Sequence, residues 1–394
     1  MPAEATNPPS DLNYVHNTHS MSDLSDHIAT GLISPPTTPP KKLATPYTIG
    51  SRFTARRHRP PPVDYEGHTD GTNRGDLNDA SHLDWCLSHP PKTGGIITEE
   101  YCDIEVARPI RTGVDYGAQV VLLRDGLIAK IFDPLFYRFH DQHDWAPPKN
   151  PRKRNVTLIT DDEYLVETAA YTHLTKAGVV GNLTPAYHGS WVFDVPVNIK
   201  GESRSRQVHM ILLEYVAGTR MLDINPQDLT QAERENIMFK AIEAETDLAL
   251  AGVRHGDFEP RNIILCPSTP SSTDEDASAN SSPVADPNLR ICIIDFADSG
   301  IFSTPDGQPS KLKNRNPLFQ WSEPDVWTDY GWLPHYKEAQ DWLWRMWSDG
   351  GKDGKYVAVE KHPDQYGIRL KEANSTSNAS EALQAESGAT MALD

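Results

Sequence analysis

The alternation of apolar and polar positions divides the chain into a periodic centre and two aperiodic ends. Order is expected to begin around Ile96. From there, short apolar runs separated by turn residues predict strands at 104–106, 120–123 and 127–132. The last two runs flank Arg124-Asp125-Gly126, and Asp-Gly between apolar runs is a strong hairpin signal. The period then changes to a helical one. Thr160-Asp161-Asp162-Glu163 has the form of a capping box, and behind it Tyr164, Glu167, Tyr171 and Leu174 fall on one helical face. Gly178 and Gly181 end that helix. Two more strand-like runs follow at 190–193 and 208–213, the second leading into Glu214-Tyr215-Val216-Ala217-Gly218. A second capping box, Thr230-Gln231-Ala232-Glu233, opens a helix whose apolar stripe is Ile237, Ala241, Ile242, Leu248 and Ala249.

The ends lack this periodicity. Residues 1–95 read as a disordered arm rich in Pro, Ser and Thr, in which Arg56-Arg57-His58-Arg59 is expected to be a solvated basic loop. Within the centre, 133–159 reads as a polar insertion and 267–288 as a disordered, low-complexity one; 373–394 reads as a disordered tail. The tryptophans between Trp321 and Trp347 are assigned to packing, with a helix over 337–347.

Composition narrows the function classes. The formal net charge of −18 disfavours nucleic acid as a partner, because phosphate backbones call for a basic face. No apolar run approaches the ~18 residues of a membrane span. The four cysteines (Cys86, Cys102, Cys266, Cys292) form no close pair, which argues against a disulfide frame or a zinc site. With a polar, acidic N-terminus, the expectation is a cytoplasmic or nuclear protein.

Chemistry concentrates in two segments, His255-Gly256-Asp257-Phe258-Glu259-Pro260-Arg261-Asn262 and Ile293-Ile294-Asp295-Phe296-Ala297-Asp298. Each sets a carboxylate-bearing turn beside a strand-like run, Ile263-Ile264-Leu265 and Ile291-Cys292-Ile293-Ile294. Paired strands would bring Asp257, Asn262 and Asp295 towards one point. Two carboxylates and an amide are hard oxygen ligands of the kind that suit Mg2+. Two further features carry less. Gly113 and Gly117 in the turn 112–117 could let backbone amides approach phosphates, or only shape a hairpin. Lys130, amid apolar residues, either points outward or has a buried partner.

His-Gly-Asp followed by Asn262, then Asp-Phe-Ala, resembles the motifs of the protein kinase-like fold superfamily. Gly256 in the second position is similar to the aminoglycoside phosphotransferase branch and to fungal kinase-like proteins of unknown substrate. The resemblance spans roughly 96–372. It implies an α+β, two-lobed fold: a small antiparallel β-sheet lobe with one helix (96–214), then a larger, mainly helical lobe (215–372). It implies ATP and Mg2+ as cofactors, with Lys130 on the α- and β-phosphates and Glu167 as the partner of Lys130. Asn262 and Asp295 become the metal ligands and Asp257 the group that orients a hydroxyl acceptor. Gly113 and Gly117 would lie over the phosphates, and backbone groups near Glu214 and Val216 would meet the adenine.

The departures shape the expectation as well. Glu259 stands where protein kinases carry a Lys, Ala297 stands for a Gly, and no Ala-Pro-Glu follows Asp295 at a clear position. These favour a small-molecule phosphotransferase over a regulated protein kinase. An inactive pseudokinase scaffold, with protein partners on the disordered arms, and an atypical Ser/Thr protein kinase are the alternatives. The sequence names no acceptor.

Overall fold

The computed structural model describes residues 44–63, 72, 74–141, 152–199, 201–267, 288–302, 316–319, 321, 325–361 and 368–370. Nearly all of 267–288 and the tail 373–394 lie outside these residues. The fold is mixed α and β. Its centre is a six-stranded antiparallel sheet closed on itself, in the order β1-β2-β3-β4-β6-β5. The strands are β1 (Arg52–Arg59), β2 (Ile96–Arg111), β3 (Gln119–Leu123), β4 (Leu127–Phe132), β5 (Tyr187–Ile199) and β6 (Glu202–Glu214). The β3–β4 hairpin turns at Gly126, whose φ of 87° suits a residue without Cβ, while Asp125 accepts the Leu127 amide at 3.1 Å.

β1 corrects the reading of 1–95 as a disordered arm. It pairs with β2 along one edge and with β5 along the other, and so closes the sheet. Helices α1 (Arg74–Asp79) and α2 (His82–Ser88) follow it. A strand of sequence Arg-Phe-Thr-Ala-Arg-Arg-His-Arg has almost no apolar alternation. A register shift between Arg56 and His58 also breaks its phase, so that Ala55 and His58 are both buried. Its stability comes from two ladders and from the Arg57 guanidinium lying 4.9 Å from the Trp191 ring centre.

Helix α3 (Val156–Ala177) crosses beside the sheet. It starts one turn before the expected capping box: Asn155 is the N-cap, accepting the Leu158 amide, and Thr160 lies inside the helix with its hydroxyl donating to the Val156 carbonyl. Much of the expected polar insertion 133–159 is therefore ordered, as a 3-10 turn at Pro134–Phe136 and the first turn of α3. The end of α3 at Gly178, φ 75°, matches the sequence reading. Tyr164, Glu167, Tyr171 and Leu174 are all fully buried.

The remaining described chain is richer in helix. α4 (Gln231–Leu250) opens with both halves of the Thr230–Glu233 capping box. Short strands surround the two chemistry-bearing segments. β8 (Val253–Arg254) pairs with β11 (Gly300–Ile301), while β9 (Ile263–Cys266) lies between β7 (Thr219–Arg220) and β10 (Arg290–Ile293). α5 (Asp325–Asp329) and α6 (Tyr336–Trp347) bring in the tryptophans, of which Trp321, Trp327, Trp332, Trp342 and Trp347 are buried. No described helix is long and apolar enough to cross a membrane.

Candidate functional site

The antiparallel pairing of β9 with β10, Ile263 opposite Ile293, holds both segments at one end of a single hairpin. Asn262 and Ile294 are joined directly, the Ile294 amide donating to the Asn262 carbonyl at 2.9 Å. His255 braces the pair. Its Nε2–H donates to the Ile294 carbonyl at 2.9 Å, which leaves Nδ1 to accept the Asp257 amide at 3.3 Å. Burial lowers the pKa of this imidazole, in keeping with a neutral ring.

Gly256 follows from that packing. Its φ is 80°, and a Cβ there would stand 2.0 Å from the Asp298 carbonyl oxygen. A larger residue would push the segment after Asp295 away from the 255–257 turn, so glycine is a condition of the two segments packing this closely. Asp295 itself has φ 68°, an unfavourable conformation for a residue with a side chain. It is held by Phe296, fully buried against Tyr171 and His255.

Asp257 is fixed by three contacts. Arg261 Nη2 donates to its Oδ1 at 2.5 Å, and Asn262 Nδ2 donates to its Oδ2 at 2.8 Å and to its carbonyl at 2.9 Å. Because the Asn262 amide nitrogen is used in this way, the amide oxygen faces elsewhere and is unengaged among the described residues. Arg261 also pairs with Glu259, so the carboxylate that stands out in the sequence shares one guanidinium with Asp257.

Lys130 reaches the site from β4. It is only 7% exposed, and its Nζ donates to both Glu167 on α3 and Asp295 Oδ1, the latter at 2.6 Å. Burial works against the ammonium, but the two carboxylates prevail and raise its pKa. Their own responses diverge. Burial tends to raise Asp295, yet Lys130 overrides it and holds the carboxyl at about 2. For Glu167 burial wins, with Lys130 pulling the other way, and the group rises to about 7. One positive charge thus faces two carboxylates, Glu167 buried and Asp295 partly exposed, and the surplus is negative once Glu167 ionises.

The geometry brings together Lys130, Glu167 and Asp295, and separately Asp257 and Asn262, with the 262–294 backbone contact joining the two sets. Val216 joins at the side: it packs with Cys266 and Cys292 against Ile264, two residues after Asn262, and Ile294, next to Asp295. Glu214 ends β6 with its carboxylate accepting the Ala186 amide at 2.9 Å, and Gly218 lets the connector approach β9, where a Cβ would meet the Leu265 carbonyl at 2.5 Å.

The two glycines expected over the phosphates have partners of their own for their amides. The Gly113 amide donates to Gln119 Oε1 at 2.6 Å and the Gly117 amide to the Phe136 carbonyl at 3.2 Å. Gln119 Nε2 ties the same turn from the other side through the Gly113 and Gly117 carbonyls. These glycines shape the turn, and their amides are already committed.

Sequence reasoning missed Arg111, Glu163 and Tyr137. Arg111 ends β2 opposite Val120, and Val120 lies opposite Lys130, so the three side chains share one face of the sheet. The Arg111 guanidinium, tethered to the Tyr116 carbonyl at 2.6 Å, adds to the field that lowers Asp295. Glu163 lies one turn before Glu167 and accepts the Tyr137 hydroxyl at 2.7 Å; burial raises it to about 7. Helical spacing from Glu167 was a usable signal for Glu163. Arg111 had none, because its register depends on an irregularity between Pro109 and Arg111.

Among the described residues no group of three or more His, Cys, Asp or Glu is placed to hold a metal ion. The free oxygens of Asn262 and Asp295 suit a hard cation that takes its other ligands from water or from a phosphate-bearing substrate.

No family model matches the chain, and no curated protein matches it. Among solved structures, "WaaP in complex with acyl carrier protein" aligns with 50% of this chain and 64% of its own, at 18% identity and a TM-score of 0.28. The chain therefore spans less than two thirds of the length of that structure.

Proposed function

We propose that the chain is an ATP- and Mg2+-dependent phosphotransferase of the kinase-like, two-lobed type, acting on a hydroxyl of a small molecule. The observation that carries this reading is the meeting of Lys130, Glu167 and Asp295 beside the Asp257–Asn262 pair. Phosphoryl transfer asks a protein for positioning and charge neutralisation more than for covalent help. Lys130, held charged by its two carboxylates, is placed to take over a phosphate oxygen, and Arg111 offers a second cation on the same sheet face. Asn262 and Asp295 would hold magnesium, whose chemistry when bound is to offset phosphate charge. Asp257, oriented by Arg261 and Asn262, would take or direct the acceptor's proton. The connector 214–218, which runs past the Val216 patch, is the place for an adenine edge.

A pseudokinase scaffold is the second reading, favoured by one observation: the Gly113 and Gly117 amides are spent inside the turn. Thermal unfolding with ATP, with and without magnesium, separates the two. A nucleotide at about 100-fold its dissociation constant adds about 2.7 kcal/mol. The phosphotransferase reading expects a magnesium-dependent rise in Tm for both wild type and Asp257→Asn. It also expects phosphate release or transfer that falls about 10^3-fold in the variant. Full turnover by Asp257→Asn would overturn the role given to Asp257, and no shift under any condition would favour the scaffold.

A further inference from the structure

The N-terminal segment does more than close the sheet. It grips α3 at three heights along its length. At the helix start, Trp85 Nε1 donates to Asn155 Oδ1 at 3.1 Å, and Asn155 Nδ2 donates to the Thr72 hydroxyl at 2.5 Å. One and a half turns on, the Lys92 amide donates to Asp161 Oδ2 at 2.7 Å. A turn later, His58 on β1 meets Tyr164. Gly94 offers His58 Nε2 a carbonyl at 2.8 Å, so Nε2 carries the proton and Nδ1 accepts the Tyr164 hydroxyl at 2.6 Å. Burial lowers the pKa of His58, in line with that neutral form. His209, held by the Thr93 hydroxyl at 3.2 Å, stacks on the Tyr164 ring at 4.4 Å and lies 5.0 Å from the His58 ring.

The segment can come this close because of its glycines. Gly95 has φ 84°, and a Cβ there would be 2.4 Å from the Arg59 carbonyl. The end of β1 and the stretch entering β2 are thereby pressed together under Tyr164. Glu167 lies three residues beyond Tyr164, about 4.5 Å further along the axis. The axial position of α3 therefore sets whether Glu167 meets Lys130.

We propose that the described residues between 44 and 95 are a built-in clamp on α3, and that His58 is a positioning residue that holds Glu167 against Lys130 through Tyr164. The clamp itself rests on the geometry alone; its effect on nucleotide affinity rests on the phosphotransferase reading. A helix free to slide would place Glu167 out of register, and misplacement by about 1 Å is enough to cost a site ~10^2-fold.

The test compares full-length wild type, Tyr164→Phe, His58→Phe and His58→Asn, the last keeping an acceptor near the Nδ1 position. Amide hydrogen exchange is read separately over α3 and over α4, with global stability measured by denaturant. The expected result is exchange at least 10-fold faster across 156–167 in Tyr164→Phe and His58→Phe, with α4 unchanged and His58→Asn close to wild type. In the same variants, affinity for ATP with magnesium should fall about 10-fold, again with recovery in His58→Asn. Exchange that rises equally in α3 and α4, or not at all, overturns the clamp. If wild type gives no ATP shift, the phosphotransferase reading fails and the exchange data alone decide on the clamp. If wild type binds ATP and the α3-loosened variants bind it equally well, the positioning role of His58 is overturned.

Discussion

Two buried cations sit in the same closed sheet, and they are solvated by protein in opposite ways. Arg206 on β6 meets Asp133 through Nε at 3.0 Å and Nη2 at 2.5 Å, while Tyr47 donates to the same carboxylate at 2.6 Å and the Leu135 amide at 3.2 Å. One charge balances one charge, and each carboxylate oxygen receives two donors. Asp133 and Tyr47 are fully buried. Lys130 on β4 instead faces two carboxylates, one of them, Asp295, with a side chain 31% exposed. The first cluster is complete and sealed. The second is short of positive charge once Glu167 ionises and is open on one side, as the proposed binding of a cation and a phosphate-bearing substrate would require. A complete network serves the fold; an incomplete one is retained at a cost in stability that function can explain.

The comparison is most exposed to Asp133→Ala. That change leaves Arg206 buried without its counter-charge, and an unpaired buried ion costs about 3–5 kcal/mol. Denaturant unfolding should register a loss of that size. A loss below about 1 kcal/mol would mean that Arg206 finds water, and the sealed cluster would not be sealed.

The next effect comes from Glu167→Gln and is read through pH. Folded Glu167 keeps its proton up to about 7, against an ordinary value of 4.5. Between those values the folded state binds the proton and the unfolded state does not. Its contribution to stability is therefore full below about pH 4.5 and fades as pH rises through 7. The span is worth about 3 kcal/mol at most. Asp295 runs the other way: held at about 2 against 3.8, it stabilises above that ordinary value, and the benefit is lost only as pH falls through 2. Relative to wild type, Glu167→Gln should flatten the stability profile between pH 4.5 and 7 and leave the acid limb of Asp295 in place. Parallel profiles for the two proteins would assign the negative surplus to some other group.

The two clusters also differ in how far the sequence revealed them. Lys130, Glu167 and Asp295 were readable because each breaks a local pattern: a cation in an apolar strand, a carboxylate on an apolar helix face, a carboxylate at the end of a β run. Arg206 breaks no such pattern, since it stands among polar neighbours, and Asp133, before Pro134, reads as a turn after β4; the two meet only through the pairing of β4 with β6, Phe132 opposite His209. β1 was illegible for a related reason. Its burial is set by ladders to β2 and β5 and by a bulge, none of which leaves a period in Arg-Phe-Thr-Ala-Arg-Arg-His-Arg. The glycine turn holds a partner that the motif did not show. Two glycines suggested free amides, but Gln119, two residues beyond Gly117, occupies the turn from within. Motif and periodicity report what a residue is next to in sequence; the partners that decided these cases are distant or irregular.

The smallest effect bears on the sealed cluster again. Tyr47→Phe removes one of four donors to Asp133 while the two Arg206 contacts and the Leu135 amide remain. A hydrogen bond to a charged acceptor is worth about 1.5–3 kcal/mol, and with three donors left the loss should lie near the lower figure. Its pH dependence matters more than its size. Burial, followed by the charge of Asp133, pushes the Tyr47 hydroxyl well above its ordinary value, so it stays a neutral donor throughout the working range. The cost of Tyr47→Phe should therefore be the same at pH 5 and pH 8, where the effect of Glu167→Gln changes. If Tyr47→Phe instead cost more as pH rose, a titrating group would have to lie within the Asp133 cluster. The division between a closed, charge-balanced cluster and an open one with a surplus of carboxylates would then have to be drawn elsewhere.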